Sequence, residues 1–149
     1  MRHRLFGKKL GRNHHQRQAL LRNLTRSLFT HGSICTTSAR AKAVIPLVEK
    51  LAHQLVTEPE GSAKMAAAPY FPGISAANRL YRSFRETFSG TTSNFIKVAN
   101  LHRRQGDDAL IVKVSFVKAY QLPALVKPAK IKKPVKPVKE KVKKEKNEK

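Results

Sequence analysis

Charge is distributed so unevenly along this chain that only its middle can fold as an ordinary domain. Residues 1–48 carry ten Lys or Arg and no Asp or Glu, the first acid being Glu49. Residues 118–149 carry twelve Lys against Glu140, Glu145 and Glu148, whereas residues 49–117 hold nine basic and six acidic residues, close to a normal balance. Segments that repel themselves this strongly do not collapse on their own, so the chain reads as a modest folded centre between two cationic arms. The formal net charge of +22 on 149 residues calls for a polyanionic partner, nucleic acid first and an anionic membrane second.

Other classes fall away on simple grounds. No run approaches the ~18 consecutive apolar residues of a membrane span. The first thirty residues have no unbroken apolar stretch of the kind a secretory signal needs, although an Arg-rich, acid-free start also fits an organellar transit peptide. Cys35 is the single cysteine, which excludes an intramolecular disulfide framework and fits a reducing compartment. The 40% of hydrophobic residues permits a real core.

The arms differ in kind. After Lys118, Lys alternates with Pro, Val and Ala, with no glycine and no aromatic beyond Tyr120. Pro128, Pro134 and Pro137 favour extended backbone, so residues 119–149 are expected to form a disordered, low-complexity tail. The N-terminal arm, residues 1–12, mixes Arg2, Arg4, Arg12, Lys8 and Lys9 with Leu5, Phe6, Leu10, Gly7 and Gly11. Arginine forks bind phosphate and stack on bases, and glycines admit close backbone approach. Such a segment is expected to order only against RNA or DNA.

Between the arms, residues 13–118 are expected to form one α+β domain, about three helices packed with a small antiparallel sheet. Asn13 offers an N-cap to a helix with Leu20, Leu21, Leu24 and Leu28 as its apolar stripe, Arg22 and Arg26 on another face, and Gly32 as its stop. A short β-prone piece, Ile34 to Thr36, precedes a second helix that Thr37 or Ser38 can cap. Val44, Val48, Leu51 and Leu55 make its seam, and Pro46 is expected to bend it or delay its regular start. Residues 57–76 contain Pro59, Gly61, Pro69, Pro72 and Gly73 and read as a loop with one helical turn around Ala66. A third helix is expected over 76–88, with Leu80, Tyr81, Phe84 and Phe88 inward and Arg79, Arg82 and Arg85 outward. Phe95–Leu101 and Ala109–Val117, joined through Gly106, Asp107 and Asp108, read as a hairpin whose second strand directs Leu110, Val112, Val114 and Phe116 to one face.

Nothing here has catalytic spacing. His14 and His15 are adjacent, His3, His31, His53 and His102 are scattered, and Cys35 has no CxxC partner, so no zinc spacing exists. Phosphate-binding glycine loops and nucleophile elbows are absent, and Asp107 and Asp108 suit a turn better than a metal. No enzyme, metal or cofactor is expected.

Two stretches carry a family resemblance. Met1 to Arg4, Gly7 to Leu10, Arg12, Asn13, Arg17 to Ala19, Arg22, Asn23, Ser27, Leu28, His31, Ile34, Thr36, Thr37, Ala41 and Lys42 closely resemble the N-terminal half of the bacterial-type large-subunit ribosomal protein number seventeen family. "RQGDDALIVKVSFV" resembles the family's closing hairpin, with its Arg-x-Gly-Asp turn at Arg104 to Asp107. Together they cover most of residues 1–56 and 76–117. The chain departs from the family at Ser93, Asn94, Phe95, Ile96 and Lys97, where Gly-Gly-Tyr-Thr-Arg is usual, so an aromatic and a cation persist without the glycines. The 57–76 loop and the tail do not follow the pattern.

The resemblance implies a structural constituent of the large ribosomal subunit, bound to large-subunit rRNA near the peptide exit side with other ribosomal proteins as neighbours, and no membrane or small-molecule substrate. Candidate RNA contacts are Arg2, His3, Arg4, Lys8, Lys9, Arg12, Asn13, Arg17, Arg22, Arg26, Arg40, Lys42, Lys97, Arg103 and Arg104. Because the family motif starts at Met1, no presequence is expected, which favours a bacterial cytoplasmic ribosome over a mitochondrial one. The rival class is a nucleoid-type DNA-binding protein; a membrane-surface protein is weaker, for want of an amphipathic helix with large exposed apolar residues.

Overall fold

The computed structural model describes residues 7–120 and Leu122. Arg2, His3, Arg4 and the Lys/Pro-rich tail lie outside the described residues. The order of elements is α1 (His14–His31), β1 (Ser33–Thr37), α2 (Ser38–Thr57), α3 (Glu60–Ala67), α4 (Ile74–Thr87), β2 (Ile96–Arg103) and β3 (Leu110–Phe116). The α+β class is as expected.

Local chemistry sets the first helix at both ends. The Gln16 amide donates to Asn13 Oδ1 at 3.0 Å, which satisfies one of the orphan donors of a helix start. Gly32 ends the helix at φ 74°, its amide returning 2.8 Å to the Leu28 carbonyl; a side chain there would meet the left-handed steric penalty. The stripe that α1 turns inward is Leu21, Leu24, Thr25, Leu28 and Phe29. Leu20 is only half-buried and falls outside it, so the apolar stripe is rotated from the one expected.

α2 buries Val44, Val48, Leu51 and Leu55 as expected, with Ala41 and Ala52 completing the face. It runs regularly from Ser38, and Pro46 does not delay its start. The proline removes only the bond that an amide there would make to the Lys42 carbonyl. Residues 57–76 are not one loop. Pro59 occupies the N-cap position of α3, Glu60 follows at its positive end, Glu60 pairs with Lys64 one turn on, and Ala63 and Ala67 are buried. Two alanines at a spacing of four let this helix lie close against α2 and α4, which outweighs the roughly 1 kcal/mol that Gly61 costs in a helix.

The hairpin is joined by β1 into a three-stranded antiparallel sheet of order β1-β3-β2. The registers Ile34↔Val114 and Val98↔Val114 define one face, and Ser33↔Ser115 and Lys97↔Ser115 the other. Val112, Val114 and Phe116 face the helices and are buried. Between sheet and helices lies an aromatic cluster: Phe84 stacks on Phe88 with ring centres 4.5 Å apart, and Phe29, Phe95 and Phe116 surround them. Each such ring contributes about 1.5–3 kcal/mol by leaving water.

Glu49 holds the start of β2. Its carboxylate accepts from the Ile96 amide at 3.1 Å and the Phe95 amide at 3.4 Å. The first acid in the chain is thus a structural tie between α2 and the sheet.

The packed body extends past residue 118. Tyr120 is 5% exposed, lies edge-on to Phe84 and Phe116, and pairs its hydroxyl with Ser83 Oγ at 3.1 Å. Leu122 also packs on the core. Tyr120 and Leu122, just beyond β3 and beyond the boundary expected after Lys118, thus close the end of the cluster.

Candidate nucleic-acid interface

The described candidate residues fall into three places. The first is the arm and α1. Gly7 to Asn13 turn tightly into the helix, with Leu10 and Gly11 both at positive φ and the Arg12 amide bonded to the Lys9 carbonyl at 3.1 Å. Lys8 and Lys9 are exposed. Arg17 lies in line with the inward stripe, one turn before Leu21, and reaches back to the Arg12 carbonyl at 3.5 Å. Arg22 and Arg26 are exposed four residues apart, a like-charge spacing that is mildly unfavourable unless an anion lies against it. Asn13 is committed to capping α1 through its side-chain oxygen.

The second place is the start of α2, where Arg40 is half-buried and Lys42 exposed. Neither α1 nor α2 has an acid in its first turn. Helix starts carry partial positive charge and ordinarily attract Asp or Glu; here they are met by Arg17 and Arg40. Cations at the wrong end of a helix are tolerated when an external anion supplies the countercharge.

The third place is the hairpin. The pairings Thr37↔Ile111 and His102↔Ile111 bring the start of α2 and the hairpin tip to the same end of the sheet. At that tip Arg104 grips Asp107 with both sides of its guanidinium, Nε to Oδ1 at 3.0 Å and Nη2 to Oδ2 at 2.5 Å, and Arg103 pairs with Asp108. The Arg104 hydrogen bonds hold the Asp107 carboxyl at a pKa of about 2. Both arginines stay more than half exposed in these pairs, so their outer edges are open although their charge is partly offset. Lys97, on β2, has no such offset.

β2 is exposed along nearly its whole length. Leu101 is an extra residue between the paired Asn100 and His102, a bulge that twists a free edge and, with Lys97, His102 and Arg103, discourages pairing with another strand. Sequence reasoning passed over two further cations. Lys113 projects from the centre of the sheet's open face, and Lys118 donates to the Thr87 carbonyl at 3.2 Å and sits 5.6 Å above the Phe88 ring. The alternation of β3 could have revealed Lys113, since it occupies the parity opposite Val112 and Val114.

Among the described residues, no group of three or more His, Cys, Asp or Glu could hold a metal ion, and no helix is long and apolar enough to cross a membrane. The arrangement presents forked and point cations on rigid elements, with the nearest carboxylates already committed to protein partners.

Residues 20–117 match the family model described as ribosomal protein L17. Similar curated proteins, each named large ribosomal subunit protein bL17, come from several bacterial lineages. That of Chloroflexus aurantiacus is 34% identical over 117 residues, covering 78% of this chain and all of the relative. That of Desulfotalea psychrophila is 32% identical over 117 residues, covering 78% and 90%, and that of Thermotoga neapolitana is 32% identical over 126 residues, covering 80% and 96%.

Proposed function

The chain belongs to the ribosomal protein L17 family, and from that membership we propose that it is a structural constituent of the large ribosomal subunit that binds large-subunit rRNA near the peptide exit side. Its work is binding and positioning, not catalysis, and its place is the ribosome of a bacterial cytoplasm, with rRNA and adjacent ribosomal proteins as partners. The observation that carries the rRNA reading is the cationic surface of α1 and the start of α2. Arg12, Arg17, Arg22, Arg26, Arg40 and Lys42 stand in a stretch without one acid, and Arg12, Arg17 and Arg40 lie at two helix starts whose polarity already favours anions.

Mechanistically, the aromatic core fixes α1 against the sheet, and α1 holds Arg22 and Arg26 together on its exposed face. Arginine suits irregular RNA because its planar fork matches phosphate and stacks on unpaired bases, where lysine supplies only a point charge. Arg2, His3 and Arg4 extend the same chemistry into the N-terminal arm, which contributes most once phosphate screens its self-repulsion.

Co-sedimentation tests this. Tagged protein expressed in bacteria is expected to travel with large subunits through a sucrose gradient at moderate salt and to remain with the rRNA when loosely held proteins are stripped. Recovery with the nucleoid, or at the top of the gradient, would count against it. Replacing Arg2, Arg4 and Arg12 together by Lys keeps the net charge but is expected to lower incorporation, measured by quantitative mass spectrometry of purified particles.

A further inference from the structure

Helices pack on the face of the sheet that carries Val112, Val114 and Phe116, and the opposite face is exposed at Cys35, Lys97, Ala99 and Lys113. Its central rows are set by register: Ser33, Ser115 and Lys97 stand side by side, and Cys35, Lys113 and Ala99 form the next row. Over the first row lies a shallow groove of about 570 Å³, which His31, Gly32, Lys118 and Tyr120 also border. Lys97 and Lys113 are diagonal neighbours on adjacent strands, ~7–8 Å apart at their roots, so both ammonium groups can reach one anionic strand laid across the sheet.

We infer that this groove is a second nucleic-acid contact, a seat for the sugar–phosphate backbone of a single RNA strand that crosses the open face of the sheet; it rests on the rRNA-binding reading above. Three observations favour RNA over other partners. No acid stands on the open face of the strands, whose residues are Ser33, Cys35, Thr37, Lys97, Ala99, His102, Ile111, Lys113 and Ser115. The acids that could have neutralised Lys97 and Lys113 are engaged elsewhere, Glu49 with the backbone of β2, and Asp107 and Asp108 with the hairpin arginines. The polar side chains of the groove, Ser33, Ser115, Lys97, Lys113 and Lys118, are cations and hydroxyls that suit phosphate oxygens and 2′-hydroxyls, while its apolar lining, Phe116, Val117 and Tyr120, lies beyond the first row.

One feature opposes an anion: α1 ends here, and a helix C-terminus is partly negative. His31 in the last turn lies at that spot.

The test compares three full-length proteins binding purified large-subunit rRNA over a salt series: the natural chain, Lys97→Gln with Lys113→Gln, and Arg12→Gln with Arg17→Gln, Arg22→Gln and Arg26→Gln. Losing two phosphate contacts is expected to flatten the slope of log affinity against log salt by about 1.4–1.8, and so to weaken binding roughly 30-fold near 0.1 M salt. The melting temperature should not move, because both lysines are solvated. Lys97 and Lys113 should also be protected from acetylation when rRNA is bound.

Unchanged slope and unprotected lysines, with the arginine variant still impaired, would overturn the groove while leaving the rRNA reading intact. If neither variant weakens rRNA binding, both readings fall. If the lysine variant instead loses binding only to a poly-glutamate probe, the groove serves an acidic protein and the inference is wrong.

Discussion

β2 and β3 are hydrogen-bonded neighbours, yet they carry opposite duties. β3 buries Val112, Val114 and Phe116 beneath the helices and presents Lys113 outward. β2 buries almost nothing; even Val98, whose register places it on the helical side beside Val114, is 47% exposed. The sheet extends beyond the layer that covers it, and the part left over is basic, bulged and short of apolar cover. One strand is held by the core, while the other is held mainly by its neighbour and by Glu49. The same division runs through α1, where Leu28 and Phe29 are fully buried and Arg22 and Arg26 are exposed on the same helix.

The largest test of this contrast lies at the end of β3. Truncation after Lys118 removes Tyr120 and Leu122 and opens the aromatic cluster, at an expected cost of about 3–5 kcal/mol. Truncation after Leu122 should leave chemical denaturation unchanged. If the two truncations melt alike, the body ends at Lys118 after all.

Paired valines sharpen the comparison between strands. Val114→Ala should lose about 1.5–3 kcal/mol, whereas Val98→Ala should stay within about 0.5 kcal/mol. Equal losses in urea unfolding would mean that β2 is covered as fully as β3. Glu49→Gln tests the tie between α2 and β2: weakening a carboxylate that accepts two backbone amides should cost on the order of 1–2 kcal/mol, with hydrogen exchange rising first at Phe95 and Ile96.

Alkali supplies a smaller, signed effect. Burial raises the Tyr120 hydroxyl to about 12, against an ordinary value near 10. The unfolded chain therefore releases this proton first, and stability present below pH 10 declines as the pH rises towards 12, by roughly 2 kcal/mol over that window. Tyr120→Phe should abolish that part of the decline. A variant that follows the natural chain's alkaline curve would place the phenol in water.

Where the fold was legible in the sequence, the signal was local. Asn13 and Gly32 bracket α1, the spacing of Val44, Val48, Leu51 and Leu55 sets the face of α2, and alternation from Leu110 to Phe116 sets β3. What escaped depended on distance or on small residues. α3 hides between Pro59 and Pro69 because alanines bury well without making an apolar run. β1 joins the sheet through partners some eighty positions away, which no window can see. Tyr120 is a lone aromatic with no period to announce it. In the candidate site, the charge of the first 48 residues pointed to α1 and the start of α2, but the pairing of Arg103 and Arg104 with Asp108 and Asp107 was not foreseen. Lys113 was passed over because its strand was valued for its apolar parity alone.

The cationic surface proposed to hold RNA is separable from the core that holds the fold. The most direct measurement takes Arg22→Gln with Arg26→Gln and records, on one preparation, the melting temperature and the salt dependence of large-subunit rRNA binding. Relief of like charges four residues apart should leave melting unchanged or slightly raised, while the slope of log affinity against log salt should fall by about 1.4–1.8 for two lost phosphate contacts. A melting temperature lowered by several degrees, or a slope that does not change, would contradict the account.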